Sequence, residues 1–94
     1  MKIVWPRRAL RHLVYIRQHI EKDSEPNAAL VASRIPEAVE LLQSHPEIGR
    51  PGRVVGTREL VVPRTPYVIP YRVRRGRLEL IAVFHGRQKW PLTL

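Results

Sequence analysis

The side chains of this protein that can do chemistry are one well-placed histidine and a set of arginines. His85 opens the polar segment His85-Gly86-Arg87-Gln88-Lys89-Trp90. An imidazole titrates near neutrality, so His85 is a candidate general acid or base for cleaving RNA, needing only to reach a hydroxyl. A histidine at a strand end can equally serve structure by bonding the neighbouring backbone. Arg58, Arg72, Arg74, Arg87 and Lys89 lie on or beside stretches with strand periodicity. Arg72 and Arg74 share a face with Val68 and Pro70 by the two-residue repeat. A guanidinium suits bidentate contact with phosphate or carboxylate, and its alkyl stem also covers apolar sheet. The covering role fits Arg75 and Arg77 at a turn. Arg58 and Arg72 lie in otherwise apolar strand stretches, with Glu59 and Glu79 as the acids available to pair them. Trp90 can stack a base, anchor a partner or pack over a sheet edge.

Other chemistries are poorly supplied. The 94 residues contain no Cys, which removes disulfides, zinc thiolates and thiol catalysis. Six of the eight acids fall before residue 50, so a paired-carboxylate or two-metal centre is not expected beside the arginines. His12, His19, His45 and His85 show no ligand spacing. His12 and His19 lie seven apart on one helix face and read as surface residues. No phosphate-binding glycine loop, nucleophile elbow or H-E-x-x-H motif occurs, and neither metal nor cofactor is expected. The net charge is +9, with 17 Lys and Arg against eight acids. Residues 1–49 hold seven bases and six acids, whereas residues 50–94 hold ten bases and two. Such a concentrated field fits an anionic partner, or else a solvated arginine-rich face.

The elements that must position these residues follow from periodicity. Length allows one domain, residues 1–94. Lys2–Trp5 reads as a short strand. Ala9, Leu13, Ile16 and Ile20 define an amphipathic helix over 6–22. Asp23-Ser24-Glu25-Pro26-Asn27 breaks it and starts a second helix over 26–44, kinked or restarted at Pro36. Residues 45–56 read as a Pro/Gly loop. Arg58–Val62, Tyr67–Arg74 and Leu78–Phe84 read as three consecutive strands, the last in the sheet interior, with Arg75-Gly76 as a two-residue turn. The order β-α-α-β-β-β predicts an α+β domain: a helical hairpin packs on one face of a small, mainly antiparallel sheet and the other face stays open. No apolar run nears the roughly 18 residues of a membrane span. The start of the chain is too short for a signal peptide, so a cytoplasmic protein is expected.

The string Gly52-Arg53-Val54-Val55-Gly56-Thr57-Arg58-Glu59-Leu60-Val61-Val62, then Tyr67-Val68-Ile69-Pro70-Tyr71-Arg72-Val73, then Val83-Phe84-His85-Gly86-Arg87-Gln88-Lys89-Trp90-Pro91, resembles the RelE/ParE superfamily of toxins. These toxins belong to type II toxin–antitoxin modules, also described as plasmid-stabilisation proteins. The resemblance covers the whole chain. It implies one of two activities. RelE-type members cut mRNA in the ribosome; ParE-type members poison DNA gyrase and block replication. The arginine that RelE carries after the aromatic of its middle strand is missing, because Val68 follows Tyr67. The Arg-Glu-Leu and Tyr-Arg-Val strands and the short terminus look closer to ParE. On that branch the protein is not an enzyme, and Arg58, Arg72, Arg74, His85, Arg87, Lys89 and Trp90 are the candidate target contacts. On the ribonuclease branch, Arg58, Arg72, His85 and Gln88 are the candidate catalytic residues, with ribosome and mRNA as partners. A third reading is a toxin fold retained as a binding module. The resemblance also implies a cognate antitoxin with an acidic, partly disordered segment, forming a hetero-oligomer with this basic chain.

Overall fold

The computed structural model describes residues 1–90; Pro91, with the last residues of the C-terminal tail, lies outside the described residues. The chain runs β1 (Lys2–Val4), α1 (Arg7–Glu21), α2 (Glu25–Ser44), β2 (Arg50–Pro51), β3 (Arg58–Val61), β4 (Tyr67–Arg74), β5 (Arg77–Leu80) and β6 (Phe84–His85). The α+β architecture is as expected, with two additional short strands. The supposed loop over 45–56 contains β2, whose Arg50 pairs with Glu59 and Pro51 with Arg58. Two residues are too few to leave a periodic signal.

Each helix has a local cause. Ala9 and Ile16 of α1 are buried, and Leu13 and Ile20 pack against the core. Ser24 caps α2, its Oγ accepting the Asn27 N–H at 3.2 Å, and Glu25 and Pro26 occupy the first turn, where negative charge and a missing N–H are tolerated. The helix does not restart at Pro36 but runs unbroken from Glu25 to Ser44. Proline still deletes the bond to Ala32. Ile35, Ala38, Val39 and Leu42 are buried on both sides of it, and their packing carries the helix past the gap.

The sheet order is β1-β5-β4-β3-β2, with β6 also paired to β4. β1 joins β5 in parallel and the other pairs are antiparallel, so β5 is interior as expected. Arg75 and Gly76 adopt φ of 53° and 72°, the left-handed pair that a two-residue hairpin turn requires. The helices bury Leu60, Ile69, Tyr71, Leu78 and Leu80 of one sheet face together with Ile35, Val39 and Leu42. Each such side chain contributes about 1.5–3 kcal/mol of burial.

The expected third long strand, Leu78–Phe84, is in fact two. Tyr71 lies opposite Leu80, but Val68 lies opposite Phe84. Ile69 and Pro70 therefore face three residues, Ile81, Ala82 and Val83, which is a one-residue bulge. Pro70 is the cause, since it has no N–H to give the ladder. Its carbonyl still accepts the Ile81 N–H at 2.9 Å. The second sheet face is also less open than expected. Val68, Ile81, Ala82, Phe84 and Trp90 form a small separate apolar cluster on it.

Candidate functional site at the C-terminal strand

The bulge decides which way His85 faces. Leu78 and Leu80 point to the helices, so unbroken alternation would send His85 to the opposite face, beside Glu79 and Arg72. One extra residue inverts the phase. Val83 joins the helix-side core, and His85 comes opposite Tyr67, the two rings edge to face with centroids 5.6 Å apart.

His85 is held by its own turn. Its Nδ1 accepts the Arg87 N–H at 3.1 Å, and its N–H donates to Gln88 Oε1 at 2.9 Å. Its carbonyl accepts from the Gln88 N–H at 3.0 Å and from Trp90 Nε1 at 3.4 Å. With Nδ1 occupied as an acceptor, the neutral ring carries its proton on Nε2. The imidazole lines a cleft of about 320 Å³ with His12, Tyr15 and His19 of α1, Tyr67 and Gln88. His12 is more than a surface residue. Its Nδ1 accepts the N–H of Val83, freed by the bulge, at 3.1 Å. Burial and the charge of Arg8 hold His12 below the ordinary imidazole pKa, so it is neutral at pH 7. Burial also raises the Tyr67 phenol, which stays protonated.

The arginines are dispersed. Arg58 pairs with Tyr71 in register and so faces the helices. Its NH1 donates to the carbonyls of Glu47 (3.1 Å) and Gly49 (2.9 Å), tying down the loop before β2. Tyr71 assists, donating its hydroxyl to Pro46 O at 2.7 Å and accepting the Gly49 N–H at 2.9 Å. Gly49 is required there, because a Cβ would stand 2.6 Å from the Tyr71 ring. Arg72 and Arg74 lie on the other face, both with Nε on Glu79 Oε1, at 3.1 and 2.9 Å. Their pull lowers the Glu79 pKa, the Arg72 hydrogen bond most.

Arg87, Gln88 and Lys89 are exposed. Trp90 is buried: it packs 4.8 Å from Phe84 under the Arg53 guanidinium, 3.6 Å above its ring. Arg53 is itself oriented by Glu59, 3% exposed, which also binds Arg50. The structure thus brings His85 and Gln88 together at one cleft, sets Arg87 and Lys89 beside them, and places Arg58, Arg72 and Arg74 elsewhere. Sequence reasoning did not reach the partners of His85. The available signal was His12, Tyr15 and His19 at helical spacing on one face.

The model of the family described as ParE toxin of type II toxin-antitoxin system, parDE, matches residues 3–90. The chain belongs to the ParE toxin family. Among relatives, Y4kP of Sinorhizobium fredii, which is named as a toxin, is 48% identical over 93 residues, covering 99% of this chain and 96% of that one. Toxin RelE2 of Caulobacter vibrioides is 36% identical over 85 residues, 90% and 94% of the two chains. A solved structure described as the chromosomal ParDE TA system from P. aeruginosa has a TM-score of 0.84 at 30% identity, covering 90% of this chain and 95% of the other. The ParE fold is therefore present from β1 through Trp90. Among the described residues, no helix is long and apolar enough to cross a membrane.

Proposed function

We propose that this ParE-family toxin acts in the cytoplasm on DNA gyrase, blocking replication as the growth-arresting half of a plasmid-stabilisation module. The observation that carries this reading is the dispersal of the candidate ribonuclease residues. Arg58 holds loop carbonyls, Arg72 is paired with Glu79 on the opposite face, and only His85 and Gln88 meet at a cleft. General acid–base cleavage needs its groups within reach of the same few atoms, whereas a poison that binds a protein needs a surface. The exposed Arg87 and Lys89 beside His85 supply it. A cognate antitoxin with an acidic, partly disordered segment neutralises the toxin in a hetero-oligomer, for which a +9 chain is the electrostatic complement.

One observation favours a ribonuclease instead. His85 is locked by Arg87 N–H and faces a cleft, and a named relative is a RelE toxin. Supercoiling of relaxed plasmid by purified gyrase, run beside cell-free translation, separates the two. Inhibited gyrase with trapped cleaved DNA and intact translation is the expected result. Untouched gyrase with blocked translation overturns it and makes His85→Ala the next variant. The surface is tested with Arg87→Ser/Lys89→Ser. Deleting residues 85–94 would remove the buried Trp90 and confuse lost contact with lost packing.

A further inference from the structure

The sheet face away from the helices carries a row of like charges. In register, Lys2 of β1 lies beside Arg77 of β5, and Arg77 lies opposite Arg74 of β4. Strand partners in register point to the same face, so three cations form one rung across three strands. Like charges directly opposite destabilise a sheet, and of the three only Arg74 has an ion-pair partner among the described residues, Glu79. The next rung holds Glu79 between Val4 and Arg72. Among the described residues, Glu79 is the acid that answers this cluster, bound by Arg72 and Arg74 through Nε alone. Their terminal nitrogens remain for another ligand.

Glu79 also separates two hollows. One, of about 400 Å³, is lined by Arg74, Arg75 and Arg77. The other, of about 320 Å³, is lined by Arg8, Arg72 and Arg74. Both are concave, cationic and open to solvent.

We propose that this rung binds the phosphate backbone of duplex DNA. The three cations span about 10 Å across neighbouring strands. Successive phosphates of one DNA strand, about 3.4 Å apart in axial rise, lie about twice that far apart through space. The long Lys and Arg side chains bridge the difference, so the rung can engage neighbouring phosphates of one strand. Guanidinium forks match phosphate oxygens bidentately. The choice of DNA rests on the gyrase reading, because gyrase presents DNA and protein together. Position supports it: the rung is at the Arg74 end of β4, seven residues or roughly 23 Å from the Tyr67 end, where His85 and the basic tail lie. One molecule can then touch protein with one end and DNA with the other.

The test is binding of the full-length toxin to a fluorescent 20-base-pair duplex across salt concentrations, without gyrase. The expected plot of log affinity against log salt has a slope of about −3 or steeper. Lys2→Gln/Arg77→Gln weakens binding about 50-fold at 0.1 M salt and removes about 2 from the slope, equally for different sequences. Arg64→Gln, in the turn between β3 and β4 beyond the Tyr67 end, keeps the full slope. Because the double variant relieves a like-charge rung, its melting temperature holds or rises, so lost binding is not unfolding. Wild-type slope in the double variant overturns the inference, as does tighter binding to single-stranded RNA or to an acidic peptide of equal charge. If the duplex result stands while gyrase is untouched, the gyrase reading fails alone. If gyrase is inhibited but the double variant binds duplex normally, the phosphate site fails alone.

Discussion

At the residue scale, histidines at the cleft are governed by backbone donors. His12 spends Nδ1 on the Val83 N–H and is held neutral by burial and by Arg8. A histidine with a lowered folded pKa binds its proton first in the unfolded chain, so stability falls as pH drops below the ordinary value of 6.5. His12→Asn keeps an acceptor for Val83 and cannot be protonated; urea melts from pH 7 to pH 5 then show a shallower loss than wild type. Trp90 is a second case. Its ring fills the apolar cluster with Phe84 beneath Arg53. Trp90→Ala costs about 3 kcal/mol, seen as a lower urea midpoint. Arg87→Ser, on an exposed neighbour, leaves the midpoint within about 0.5 kcal/mol of wild type.

At the element scale, the 3.6-residue period made both helices legible, the two-residue period the strand Tyr67–Arg74, and residue type the Arg75-Gly76 turn. The apolar stripe and the turn chemistry agreed there with the tertiary packing. The bulge was not legible. Residues 80–84 are all apolar, so an inserted residue there leaves no break in alternation. The sign was on the neighbouring strand, where Pro70 withholds an N–H. The same event hid half of the candidate site, because His85 meets His12, Tyr15 and His19 only after the phase inverts. His85, Arg87 and Lys89 are legible as candidates by residue type alone, whereas the partners of Arg58, the carbonyls of Glu47 and Gly49, lie 11 and 9 residues away in sequence, where no spacing rule points to them. The turn carries a separate prediction. Arg75 has φ of 53°, where a side chain costs about 1–2 kcal/mol and Asn is better tolerated. Arg75→Asn raises the thermal midpoint by several degrees, a gain of about 1 kcal/mol; an unchanged midpoint would show the turn to be unstrained.

At the scale of the whole molecule, charge is segregated. Residues 1–49 carry six of the eight acids, and the sheet half, residues 50–94, holds ten bases against two acids. On the proposed pairing with an acidic antitoxin segment, that field steers association, so the rate constant in stopped-flow falls at least tenfold between 0.05 and 0.5 M salt, on the order of other steered pairs. A salt-independent rate would locate the recognition in apolar contacts instead. Residues 86–90, beyond β6, pair with no strand among the described residues. They are fastened by the Gly86 N–H on the Pro66 carbonyl at 2.7 Å and by the Trp90 indole between Phe84 and the Arg53 guanidinium, next to a strand whose ladder is already interrupted at Pro70. Their detachment can therefore proceed while β1, β5, β4 and β3 remain paired, and the amide hydrogens of Phe84 and His85 exchange with solvent through this local opening, well before those of β5 exchange by global unfolding. The toxin thus keeps its C-terminal strand on a latch whose equilibrium is set separately from the stability of the fold.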